Sequence, residues 1–88
     1  MVRIWSKTIV GDKITRSEIV EIDDTYHSSK FESFVMQVCH KLDIPTPIMV
    51  YSNKFNFTNF NTTRFRAVDF VEAVDFDMLV LENAAQKD

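Results

Sequence analysis

With 88 residues, of which 45% are hydrophobic and 26% charged, the chain has the composition of one globular domain with one core. A formal net charge of -3 gives it no general attraction to nucleic acid or to an anionic membrane. A lone glycine excludes the multi-glycine loops that cradle phosphates, and a lone cysteine excludes an internal disulfide and any multi-cysteine zinc or iron–sulfur centre.

Residues Val2 to Val10 alternate, placing Val2, Ile4, Ser6, Thr8 and Val10 on one face and Arg3, Trp5, Lys7 and Ile9 on the other. Arg3 and Lys7 interrupt any continuous apolar run, so neither a signal peptide nor a membrane span is expected, and a cytoplasmic location is. Residues Ile14 to Ile22 can return as the second strand of a hairpin. A loop of Gly11, Asp12 and Lys13 would oppose Val2 to Ile22, Arg3 to Glu21, Ile4 to Val20 and Val10 to Ile14. A two-residue loop at Gly11-Asp12 would oppose Val2 to Glu21 and Val10 to Lys13, so the apolar pattern favours the longer loop.

After a polar loop from Asp23 to His27, Ser29 with Glu32 has the spacing of a capping box. Phe31, Phe34, Val35, Val38, Cys39 and Leu42 then follow the spacing of one buried helical stripe. Pro45 and Pro47 end that helix near Asp43. The apolar runs Ile48 to Tyr51 and Met78 to Leu81 read as interior strands, Thr62 to Val68 as a short strand, and Asp69 with Glu72 as the cap of a helical turn. Residues 53 to 61 carry no clear pattern. The expected unit is a single domain over 1–83 with a frayed tail over 84–88.

The order strand, strand, long helix, strand, short strand, short helical turn, strand is that of a two-layer α+β domain with a mixed sheet packed on one long helix. It resembles the β-grasp arrangement of ubiquitin-like domains. The alternative is a ferredoxin-like split βαβ fold, whose second helix would have to be the short stretch from Asp69 to Val74. Ubiquitin-like modifiers end in a diglycine, which this sequence does not have at Ala84 to Asp88, so conjugation is not expected.

Cys39 and His40 are adjacent on a helix and diverge by about 100°, which does not suit a nucleophile–base pair. Asp23, Asp24 and His27 match no ligand spacing, so no metal, no cofactor and no enzymatic activity is expected. The asparagines of Asn56-Phe57-Thr58 and Asn61-Thr62-Thr63 suit turns better than glycosylation.

Two surfaces remain. Trp5, Ile9 and Ile19, framed by Arg3, Lys7 and Glu21, form an apolar patch for a protein partner or a second copy of the chain, unless the segment from 53 to 61 folds back over Trp5. Lys54, Phe55, Phe57, Arg64 and Arg66 combine rings and cations as single-stranded nucleic-acid binding requires, with Phe60 and Phe65 nearby. In a domain this small phenylalanines are needed for the core, so protein contact, through the Trp5 face or an unpaired sheet edge, is the leading expectation and nucleic acid the alternative.

Overall fold

The computed structural model of the chain describes residues 1–84. A four-stranded antiparallel sheet carries two helices on one face. In chain order the elements are β1 (Val2–Val10), β2 (Lys13–Ile22), α1 (Phe31–Leu42), α2 (Tyr51–Phe60), β3 (Thr62–Arg66) and β4 (Met78–Asn83), and the strand order across the sheet is β2-β1-β4-β3.

The alternation read in β1 holds as far as Thr8: Val2, Ile4, Ser6 and Thr8 are buried, whereas Val10 at the strand end is exposed. They face the stripe of α1, whose Phe31, Phe34, Val35, Val38, Cys39 and Leu42 are all buried. The hairpin uses both candidate registers. Val2 opposes Ile22, Arg3 opposes Glu21 and Ile4 opposes Val20, as the apolar pattern requires, but beyond Thr8 the register shifts by one. Thr8 opposes Arg16 while Ile9 opposes Ile14, which leaves Thr15 as the extra residue of a bulge. Val10 therefore faces Lys13, not Ile14, across a Gly11-Asp12 loop in which Gly11 takes φ 63°. Thr15 Oγ1 donates to the Thr8 carbonyl at 3.2 Å and lies 2.9 Å from Thr8 Oγ1, so the bulge satisfies a buried hydroxyl that the sheet would otherwise strand.

Helix α1 begins without the expected capping box. Ser29 lies inside a 3-10 turn over Ser28–Lys30 that leads into the helix, and no side chain caps its first turn. At the other end Asp43 adopts φ 59°, and Asp43 and Ile44 donate backbone N–H groups to the carbonyls of His40 and Cys39 at 3.1 and 3.0 Å. This is the doubly bonded left-handed stop at which glycine is usual and a short polar side chain is tolerated.

The run Ile48 to Tyr51 is not a strand. Tyr51 opens α2 instead, because Asn53 Oδ1 accepts the Val50 N–H at 3.0 Å and starts a helical turn. Asn61 closes that helix at φ 63°, the turn role expected of it. The loss of that strand also corrects the expected mixed sheet. With one strand fewer between α1 and the end, β4 arrives beside β1 running the opposite way, and every pairing is antiparallel. Both helices fall in the single connection from β2 to β3, so the split βαβ alternative is not formed either.

The strand expected to reach Val68 ends at Arg66, and the helical turn placed after Asp69 is a 3-10 turn over Ala67–Asp69 that ends there. The Asp69 carboxylate accepts the Arg66 N–H at 2.8 Å, which holds the chain in the turn. Phe70 and Phe76 are buried edge to face with ring centroids 5.4 Å apart, sealing one end of the core, while Phe57, Phe65, Leu79 and Leu81 complete it. Ala84 donates its N–H to the Arg3 carbonyl at 2.8 Å, and the rest of the expected tail, 85–88, lies outside the described residues. No helix among the described residues is long and apolar enough to cross a membrane.

Candidate interaction surface

Because both helices pack on one face of the sheet, the other face is uncovered among the described residues. Its side chains follow from strand parity and register. One row across the sheet is Ile19, Trp5, Glu82 and Thr62; the next is Ser17, Lys7, Val80 and Arg64; the third is Ile14, Ile9, Met78 and Arg66. Arg3 and Glu21 continue it at one end, joined at 3.1 Å. The five residues assigned to a partner patch, Arg3, Trp5, Lys7, Ile9 and Ile19, thus share one surface.

Trp5 sits near its middle and is 39% exposed. The ring is held in place. Its Nε1–H donates to Ser17 Oγ at 2.6 Å, and Lys7 Nζ stands 4.0 Å from the ring centroid while pairing with Glu82 at 2.9 Å. The segment from 53 to 61 does not fold over it, since α2 packs through Phe57 on the opposite side of the sheet. Arg64 and Arg66 make no ion pair among the described residues, so the β3 margin of the face is cationic on a chain whose net charge is negative.

The five residues of the nucleic-acid reading do not form one surface. Phe57 is core, tilted against Phe31 at 5.8 Å and edge-on to Tyr26 at 5.2 Å, and Phe65 is core as well. Lys54 and Phe55 lie on α2, on the helical side of the sheet, whereas Arg64 and Arg66 point from β3 to the open side. Phe55 and Phe60 are exposed and, with Tyr51, make a ridge of rings spaced 6.0 Å apart. Tyr51 was not foreseen in that ridge; its exposure follows from the helix start at Val50.

The remaining candidates lie on α1 and in the loop before it. Asp24 accepts Lys30 Nζ at 2.9 Å and the Thr25 N–H at 2.7 Å, and the lysine bond first, then the backbone bond, hold its carboxyl below the usual range. Cys39 is buried, and burial pushes its thiol up to about 11. His40 is exposed and faces away. Tyr26, placed in a polar loop by its neighbours, packs edge-on against Phe34 at 5.3 Å; burial raises its phenol, and its hydroxyl bonds Thr58 Oγ1 at 2.8 Å. Among the described residues no three His, Cys, Asp or Glu side chains converge as a metal site.

Comparison with protein-family models, with curated proteins and with solved structures finds no match for this chain. The surface itself is therefore the ground for any functional reading.

Proposed function

We propose that this chain is a small, non-catalytic protein-contact module that works through the open sheet face centred on Trp5. The observation that carries the reading is the fixing of Trp5 by Ser17 and Lys7 on that face. An aromatic anchor ordered before binding loses little conformational freedom when a partner covers it, and tryptophan is among the side chains that dominate interface energetics. Ile9, Ile14, Ile19, Met78 and Val80 supply apolar area around it. Arg64 and Arg66 favour a partner whose surface is acidic opposite β3. A second copy of the chain would present the same cations and so is the less favoured occupant.

The sheet order β2-β1-β4-β3, with first and last strands adjacent at its centre, supports a distant β-grasp kinship, although the antiparallel β1–β4 pairing counts against a ubiquitin-like arrangement; either way the fold implies no activity. The nucleic-acid reading retains Arg64 and Arg66 but gains no stacked pair of exposed rings beside them.

The test is affinity capture from cytosolic extract with and without nuclease, comparing the native chain with Trp5→Ala and with a doubly substituted Arg64→Glu, Arg66→Glu chain, each first shown to be folded. A partner that survives nuclease, is lost with Trp5→Ala and is weakened by the glutamates supports the reading. Material that disappears with nuclease transfers the arginines to nucleic acid, and a partner indifferent to all three substitutions overturns the assignment of the face.

A further inference from the structure

The outer edge of β2 is unpaired among the described residues. Beside it runs a groove of about 790 Å³ between the strand and the flank of α1, floored by Val20 and Ile22 and walled by Glu32, Met36, His40 and Lys41. The connection from β2 to α1 is short, and Arg16 reaches the C-terminal end of α1 by donating to the Leu42 carbonyl at 2.7 Å. The helix therefore runs back antiparallel along the strand, with Glu32 near the Ile22 end and His40 and Lys41 toward the Arg16 end.

Glu32, Met36 and His40 are spaced four residues apart. At a rise of about 1.5 Å per residue, that puts an acid, an apolar side chain and a base at intervals of about 6 Å along the groove wall. Alternate side chains of an extended strand repeat every 6.6 Å or so. A strand added to the β2 edge would thus present side chains to α1 in near step with that row. Met36 is 54% exposed at the centre of the wall, and its thioether can adapt to an incoming side chain.

We infer that this groove is a binding site for an extended peptide segment of a partner, added antiparallel to the outer edge of β2. The segment reads base, apolar, acid at alternate residues from its N-terminal end. Its backbone takes up the unpaired N–H and C=O groups of the strand, as in other cases of strand addition. The basic side chain meets Glu32, the apolar one rests on Met36, Val20 and Ile22, and the acidic one meets Lys41 with His40. Antiparallel addition follows from the better hydrogen-bond geometry of antiparallel pairs, and with it the order of charges along the segment is fixed. The site is separate from the Trp5 face and does not depend on the reading of that face.

The probe is the peptide acetyl-Thr-Lys-Thr-Ile-Thr-Glu-Thr-amide, titrated into the isotope-labelled chain and followed by NMR, beside the charge-exchanged acetyl-Thr-Glu-Thr-Ile-Thr-Lys-Thr-amide. Saturable shifts are expected at Val20 to Ile22 and Met36 to Lys41, with slowed amide exchange along the outer edge of β2. Affinity is expected to fall about tenfold for the exchanged peptide and for Met36→Glu or Lys41→Glu, whose exposed positions leave the fold intact, and to stay unchanged for Trp5→Ala. No saturable shift, equal affinity for the two peptides, shifts centred on Trp5, or indifference to both groove substitutions would each overturn the proposal.

Discussion

Trp5 and Ser17 are joined across the β1–β2 hairpin by an indole N–H···Oγ bond of 2.6 Å that passes over the open face of the sheet. Ser17 is the direct neighbour of Lys7, and Lys7 lies 4.0 Å from the Trp5 ring centroid, so two adjacent rows of the sheet orient one side chain. The ring lies along the sheet where an unconstrained indole would sample several rotamers.

Ser17→Ala removes the acceptor and leaves everything else in place. Since the bond is exposed, the folded state is expected to lose only about 0.5 kcal/mol. The larger effect is on the ring. Trp5 is the single tryptophan of the chain, so its fluorescence reports on this site alone, and quenching by acrylamide is expected to rise in the variant. Unchanged quenching would mean that Ser17 does not hold the ring.

Asn53 joins α2 to β3 through one amide. Its Oδ1 accepts the Val50 N–H at 3.0 Å, and its Nδ2 donates to Thr63 Oγ1 at 3.1 Å and to the Arg64 carbonyl at 3.2 Å. Asn53→Ala is expected to cost about 1–3 kcal/mol, because the Thr63 hydroxyl is buried and loses its partner. Asn53→Asp keeps the acceptor for Val50 but loses both donors, so it is expected to be destabilising too, and to retain more helical signal than the alanine variant. Chemical denaturation followed by far-ultraviolet circular dichroism checks both.

The same residue explains why α2 was not legible in the sequence. Phe57 turns inward to the core while Tyr51, Phe55 and Phe60 turn outward, so the apolar residues show no helical period, and Asn and Thr are weak helix formers. The helix exists because Asn53 starts it, Asn61 stops it and Phe57 anchors it, and the last of those roles depends on tertiary neighbours. By contrast α1 was legible because its stripe is regular, and Trp5, Ile9 and Ile19 could be placed on one face by parity alone. That Arg64 and Arg66 share this face depends on β4 lying between β1 and β3, a strand order that local pattern does not carry. The bulge at Thr15 was half legible: each end of the hairpin obeys a different register, and only an extra residue reconciles them.

Arg16 lies at the bulge and donates from Nη1 to the Leu42 carbonyl at 2.7 Å and from Nε to Glu18 at 2.7 Å. Glu18 is a partly exposed partner, and pairs of that kind contribute roughly 0–1 kcal/mol. The carbonyl sits at the negative end of α1, where a cation and a satisfied acceptor act together. Arg16→Ala is expected to cost about 0.5–1 kcal/mol and Glu18→Ala clearly less. Urea unfolding at low and high salt decides the matter; equal costs for the two variants would show that the surface pair, not the helix end, accounts for the arginine.

Cys39 is buried on the α1 stripe with its thiol raised from 9.0 to about 11 by desolvation. A thiol-specific disulfide reagent at pH 8 is therefore expected to label the native chain roughly a thousandfold more slowly than the unfolded chain, at a rate set by opening of the core. The pH dependence follows with a definite sign. Between pH 9.0 and about 11 the unfolded thiol has lost its proton while the folded one keeps it, so the unfolded state binds fewer protons and stability falls as pH rises. The contribution is fully present below pH 9.0 and is lost through that window with a limiting slope of about 1.4 kcal/mol per pH unit. Cys39→Val nearly preserves the packing and has no proton to lose, so the difference between the two stability profiles isolates the thiol. If the profiles run parallel from pH 8 to 11, Cys39 ionises as freely in the folded chain as in the unfolded one, and its place in a closed core is wrong.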